Sequence, residues 1–242
     1  MTEPVTDLGR IWAYLAQGPL LWLTLTLAAY ALAEWVAQAA GRAPLANPVL
    51  IAAGLLSVLL IVSGTPYPVY FEGAQFVHFL LGPATVALAV PLYAQRARIR
   101  AALLPVLAAL SVGSITALVS ALAIARALGV DGVTLAALAP KSTTAPVAIG
   151  IAETLGGSPT LAAVLVLLTG LTGALIVTPL FNMLRIRDWR ARGLAAGIAA
   201  HGIGTARAMQ VHPTAGAFAA IGMGLNAILT ALMVPLVLPW FR

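Results

Sequence analysis

A chain of 242 residues that is 61% hydrophobic and only 8% charged, with a mean hydropathy of +1.01, is not a soluble globular domain, in which about a quarter of residues carry charge. The net charge of +6 does not indicate a nucleic-acid surface, because the arginines fall in short loops between apolar stretches, where they report topology. With no cysteine, disulfide and thiol chemistry are excluded.

In chain order, the opening MTEPVTDLGR lacks the basic start of a cleaved signal, so the first apolar segment is expected to be retained. Five stretches are long and apolar enough to cross about 30 Å of hydrocarbon, near residues 19–38, 47–63, 102–125, 160–184 and 214–240. Three more are interrupted. Residues 70–95 break at LGPAT (81–85), 132–155 at APKSTTAP (139–146) and 189–211 at HGIGT (201–205). Apolar segments broken by Gly and Pro suggest discontinuous transmembrane helices, although any one break also reads as a packing kink.

Arginine placement orients the chain. The clusters Arg96/Arg98/Arg100 and Arg185/Arg187/Arg190/Arg192 are expected inside. The span 102–125 then ends outside and 160–184 starts outside, so residues 132–155 enter and leave on one face as a re-entrant hairpin. The N-terminus falls outside. Residues 189–211 are taken as crossing, on the strength of Arg242 alone, which leaves nine arginines inside (Arg42, Arg242 and the seven of the clusters) against Arg10 and Arg126 outside. The expectation is an all-α polytopic membrane protein of one transmembrane domain, residues 1–242, with about seven spans plus the hairpin. Residues 47–125 and 160–240 form candidate inverted repeats, each with a broken central member. Gly82/Thr85 and Gly202/Thr205 share a spacing within them.

The polar residues at the breaks are the candidate site. Pro140 ends one helix, Ser142, Thr143 or Thr144 caps the next, and Pro146 sits in its first turn. That start points unpaired N–H groups into the membrane, and Lys141 adds a full positive charge, which together suit an anion. Lys141 otherwise snorkels or pairs with Glu153 or Glu72. At the third break Gly202 and Gly204 are expected to interrupt the helix and Thr205 to cap its continuation. Arg207 is placed to bind a carboxylate bidentately, unless it pairs with Glu153 or sits at the interface. Thr85, after Gly82 and Pro83, caps a third inward start. His201, His78 and Glu153 are candidates for proton coupling, each histidine reading equally as a carbonyl's hydrogen-bond partner. His212 reads as inert. Gly216/Ala220/Gly224 and Gly170/Ala174 are small-residue stripes for close helix contact, and Glu34 is interfacial. Trp12, Trp22, Trp35, Trp189 and Trp240 read as interface anchors. The sequence shows no metal-ligand cluster, phosphate loop or nucleophile–base motif, so no enzyme, cofactor or nucleic-acid partner is expected.

LLGPATVALAVPLY (80–93), LAPKSTTAPVAIGIAE (138–153) and HGIGTARA (201–208) resemble the signature stretches of the LrgB/CidB family, and NPVLIA (47–52) and RGLAAGIAAHGIGT (192–205) fit its pattern. The resemblance runs from about residue 15 to 240. Ala139, Thr143 and Ala145 depart from the usual wording of the second motif without touching a charge. Bacterial members are described as antiholin-like proteins linked to murein hydrolase control and lysis, acting beside a small LrgA/CidA membrane partner. Related plastid proteins export glycolate and glycerate, and some bacterial systems are implicated in pyruvate uptake. The resemblance therefore implies a carrier of short 2-hydroxy or 2-oxo monocarboxylates in the cytoplasmic membrane, or else an antiholin-like regulator or pore subunit. A homodimer is the default expectation, since twofold assemblies are the commonest.

Overall fold

The computed structural model describes residues 18–43, 46–80 and 96–242, with Pro83, Val86, Val90 and Tyr93 singly. Gly82, Thr85, Arg10 and Trp12 lie outside the described residues. The described chain is helical and falls into two compact units that divide after Pro83. Four of its helices are long and apolar enough to cross a membrane, so the protein is a multi-pass membrane protein.

The first unit holds α1 (Pro19–Ala39), α2 (Pro48–Ser63) and α3 (Tyr67–Phe79). Pro19 and Pro48 each occupy a first turn, where a missing N–H costs nothing, and the Asn47 side chain caps α2 by accepting from the N–H groups of Val49 and Leu50. Trp22 is not an interface anchor. It is fully buried, with its ring edge-on to Tyr70 at 5.9 Å, and Gly73 lets α3 approach the backbone of Leu23 where a methyl would stand 2.8 Å from its nitrogen. Trp35 and Trp240 are exposed, as anchors require.

The second unit runs through α4 (Arg96–Ala101), α5 (Leu103–Ala127), α6 (Gly132–Leu138), α7 (Ala145–Thr154), α8 (Pro159–Met183), α9 (Trp189–Val211) and α10 (Pro213–Val237), closed by a 3₁₀ turn at Leu238–Trp240. The three 25-residue helices α5, α8 and α10 are the long members. Two shorter bodies are inserted between them.

The first is α6 and α7. Asp131 caps α6 by accepting from Val133 N and Thr134 N, at 2.9 and 3.0 Å. One side chain reaches both ends of this segment: the Arg242 guanidinium donates to Leu155 O and its stem lies beside Gly132.

The second is α9, and here the structure corrects the expected crossing. Ala200 (φ −126°, ψ 18°) and His201 (φ 41°, ψ −133°) leave the helical region and fold the segment back on itself. Gly204 then faces the carbonyl of Ala196, eight residues away, and Trp189 stacks on His212 with ring centroids 4.8 Å apart and planes 3° from parallel. A straight helix of that length would hold its ends about 33 Å apart. A segment whose two ends touch does not cross once. The break also lies one residue before Gly202 and three before Gly204, so neither glycine makes it. Gly204 is there because a methyl would meet Ala196 O at 2.6 Å, so its role is close packing. His212 is not inert: besides stacking on Trp189, its Nδ1 caps α10 by accepting from Thr214 N at 3.1 Å.

Both limbs of the α9 hairpin lie along the first half of α10. Gly193 and Gly197 rest on the backbone at Ala215 and Ala219, while Met209 rests on Gly216. Contacts this close need small residues, which accounts for the stripe in α10. The α6–α7 hairpin takes the second half of α10. Leu135, Ala136 and Ala139 pack with Val234 and Leu238 and with Leu118 and Leu122 of α5, whereas Leu194 and Ile198 pack with Phe218, Ile221 and Val106. The two hairpins therefore enter from opposite ends of the long helices, and their tips meet near the middle.

Candidate anion site at the hairpin tips

Residues 139–144 form the turn between α6 and α7. Backbone bonds from Lys141 N to Leu138 O and from Thr143 N to Pro140 O, both 3.0 Å, hold it. Thr144 is extended (φ −70°, ψ 150°) and starts α7, and Pro146 stands in the first turn. The first intrahelical bond of α7 runs from Ala148 N to Thr144 O, so the preceding N–H groups lack helical partners. Ser142, Thr143 and Thr144 are all buried, Thr143 completely, and the hydroxyls of Thr143 and Thr144 have no hydrogen-bond partner. Native structures seldom leave such groups unmet, because each costs about 1–3 kcal/mol. Lys141 is half-buried, and its Nζ donates to Ser142 Oγ at 3.2 Å. The ion pairs among the described residues are Glu34–Arg42 and Asp188–Arg190, so within its own unit Lys141 is not joined to Glu153. A cation, two idle buried hydroxyls and a helix start thus converge on one turn.

The tip of the α9 hairpin is furnished differently. His201 is buried with Nε2 2.9 Å from Val166 O, which fixes the tautomer carrying hydrogen on Nε2. Thr205 does not cap the second limb. Its hydroxyl donates to His201 O at 2.7 Å, one turn back, and lies 3.8 Å from Met223 Sδ. Arg207 does not join Lys141. It sits toward the base of the hairpin, in a groove shared with Arg192, Trp189 and Phe181. There it makes one long bond to Gln210 at 3.4 Å and keeps a buried Nε without a partner. Glu153 is exposed at the far end of α7 and pairs with neither cation, and His78 is exposed in the first unit against the ring of Phe71. Pro83 is exposed. A cavity of about 450 Å³ opens between α7 and α10 around Val147, Ile151, Ala231 and Pro235; its apolar walls do not suit an anion.

Asn226 was not anticipated from sequence, yet it stands at the centre. It is buried near the middle of α10. Its Nδ2 donates to Ser142 O (2.9 Å) and Ile198 O (3.2 Å), and its Oδ1 accepts from Ser114 (2.6 Å) and Thr230 (3.4 Å). The available signal was a lone amide inside a long apolar span, where a polar group is costly unless it is used.

Residues 26–240 match the LrgB-like family, and the chain belongs to it. Among curated relatives, the uncharacterized protein YxaC of Bacillus subtilis is 38% identical over 200 residues, covering 82% of this chain and 86% of that one. The holin-like protein CidB of Staphylococcus epidermidis RP62A is 32% identical over 198 residues, 82% of this chain and 86% of that one. The holin-like protein CidB of Staphylococcus aureus Mu50 is 32% identical over 223 residues, 92% and 96% of the two chains. No solved structure matches. The matched family is one of membrane proteins and not of enzymes.

Proposed function

We propose that the chain is a secondary carrier of small 2-hydroxy or 2-oxo monocarboxylates, such as glycolate, glycerate, lactate or pyruvate, in the cytoplasmic membrane. The observation that carries the reading is the α6–α7 turn, where Lys141 and the unpartnered, buried hydroxyls of Thr143 and Thr144 face a helix start. A carboxylate there would answer the charge, and the hydroxyls would take the 2-oxygen. Discontinuous helices that meet at mid-depth are the usual construction of secondary transporters.

The proposed topology has six crossings: α1, α2, the segment 70–95, α5, α8 and α10. Residues 132–155 re-enter from outside and 189–211 from inside. Arg242 then lies outside, leaving eight arginines inside (Arg42 and the seven of the clusters) against Arg10, Arg126 and Arg242, so the positive-inside bias survives. In this topology the inverted pair is α5 with its hairpin against α8 with its hairpin, in place of the trios 47–125 and 160–240. Alternating access would come from one hairpin yielding while the other stays closed. Proton coupling is assigned to His201, which is buried at the facing tip with its Nε2 on Val166 O; uptake indifferent to an imposed pH gradient would remove it.

A second reading, a holin-like or antiholin-like component acting beside an LrgA/CidA-like partner, is favoured by the holin-like naming of the staphylococcal relatives. The geometry favours the carrier, since a lesion-forming subunit has no need of a cation and idle hydroxyls held at a hairpin tip. Proteoliposomes separate the two. A carrier gives saturable uptake of labelled glycolate or pyruvate, lost in Lys141→Ala, with no release of a trapped large dye. Dye release without saturable uptake establishes the holin-like reading instead.

A further inference from the structure

The carbonyls of Ser142 and Ile198 are both left over from helix interruptions. Ser142 lies in the turn between α6 and α7, and Ile198 would have served the N–H of residue 202 had the helix continued through Ala200 and His201. Both are met by one atom, Asn226 Nδ2, at 2.9 and 3.2 Å. The orientation of this amide is dictated, because carbonyls only accept and the opposite face of the group meets the hydroxyls of Ser114 and Thr230. All four hydrogen-bonding positions are therefore in use, within a side chain that is 1% exposed. The clasp spans α5, both hairpins and α10, whose midpoint carries it.

We propose that Asn226 is a positioning residue that ties the two hairpin tips together and sets the shape of the turn presenting Lys141, Thr143 and Thr144. The assignment of a ligand to that turn rests on the carrier reading; the clasp itself does not. Separating the tips strands a buried carbonyl on at least one hairpin, so the tips move together unless an incoming group or water takes over an amide bond. A ligand that draws Ser142 toward itself thereby acts on the end of the α9 limb, with Asn226 as the connection.

The chain contains no cysteine, so single reporters can be introduced without other changes. Thr143→Cys, at a fully buried position of the tip, reports opening to a small water-soluble thiol reagent; Ile221→Cys, fully buried in the inner core, reports loss of the fold. Asn226→Asp keeps the acceptors for Ser114 and Thr230 but turns an acceptor toward both carbonyls. It should raise the labelling rate of Thr143→Cys roughly tenfold, the effect of leaving one buried carbonyl unmet, while Ile221→Cys stays protected. Equal labelling of Thr143→Cys in both backgrounds overturns the clasp. Should Ile221→Cys also become labelled, the double variant Ser114→Ala/Thr230→Ala decides, because it frees Oδ1 and lets the amide rotate: selective exposure of Thr143→Cys supports the clasp and unchanged labelling refutes it. With labelled glycolate as probe, Asn226→Asp should raise the half-saturation concentration about fivefold or more with a smaller change in maximal rate. A purely structural role would lower maximal rate alone, through less folded protein. Wild-type vesicles that take up no glycolate while the labelling contrast holds would remove the carrier reading and leave the clasp standing.

Discussion

At the tip of the α6–α7 hairpin six residues, 139–144, carry the chain round, with Lys141 free of any carboxylate and two threonine hydroxyls idle; at the tip of the α9 hairpin two residues suffice, and every hydroxyl and ring nitrogen named there is already bonded to backbone or sulfur. Both hairpins enter behind an aspartate cap, Asp131 in one and Asp188 in the other, and both end against Asn226. In the proposed transport cycle the shared architecture would supply two bodies that yield in turn. The difference shows which of them offers binding capacity. Polar groups committed to holding a fold are not available to a ligand, so the proposed site falls on the first hairpin, with the second as its tightly packed counterpart.

The largest effect should come from testing that packing. A methyl on Gly204 would stand 2.6 Å from both Ala196 O and Ala200 Cβ, whereas nothing lies within 4 Å of the position a methyl would take on Gly150 of α7. Gly204→Leu should destabilise the protein by more than about 3 kcal/mol, enough to remove the monodisperse peak in detergent. Gly150→Leu should cost less than about 1 kcal/mol and gains helix propensity. Thermal unfolding of the two variants checks the contrast, and similar losses would mean that the hairpins are packed alike.

Binding comes next. Thr143→Val replaces an idle hydroxyl by a methyl of the same shape, so stability should hold or rise while half-saturation for glycolate increases roughly tenfold. Thr205→Val removes a bond to backbone, so it should cost about 1 kcal/mol of stability and change uptake less than about twofold. Reversal of the two phenotypes would move the site to the α9 tip.

This same contrast governs what could be read from the sequence. The five long apolar stretches are helices with nearly the expected ends, since length and hydropathy suffice for them. APKSTTAP is legible because proline, lysine and hydroxyl residues each oppose a continuous apolar helix for a reason local to the residue. HGIGT misleads. Its glycines mark where limbs must touch, and the turn itself falls on Ala200 and His201, whose letters carry no turn signal. Arg242 misled in turn, since one terminal charge weighs little against packing. Asn226 required knowing which carbonyls the breaks would strand, and that is a property of the assembled fold.

His201 offers a finer test. Its φ of 41° lies in the left-handed region that a side chain resists and glycine enters freely. At ordinary helical positions alanine exceeds glycine by about 0.5–1 kcal/mol. Here the order should invert, with His201→Gly more stable than His201→Ala by about 1 kcal/mol, although both lose the bond to Val166 O. The usual order, found by thermal unfolding of the pair, would mean a continuous helix through residue 201 and a crossing segment after all.

The smallest effect lies at the hairpin bases. Hydrogen bonds from the Arg190 guanidinium and its backbone N–H hold the Asp188 carboxyl down to about 2, and the backbone N–H and hydroxyl of Thr134 hold Asp131 below its ordinary value. A carboxyl whose folded pKa lies below its unfolded one contributes stability that is fully present above about pH 4 and disappears as pH falls through the folded value. For Asp188 the loss therefore develops between about pH 4 and 2. The Asp188–Arg190 pair is exposed, so solvent screening keeps its contribution small. Asp188→Asn retains a capping oxygen and loses the titration, so its unfolding temperature should fall less steeply than wild type between about pH 4 and 2. Parallel curves for the two proteins would show that the charge of Asp188 adds nothing at the entry of the α9 hairpin, and that a neutral cap with packing against α10 holds it closed.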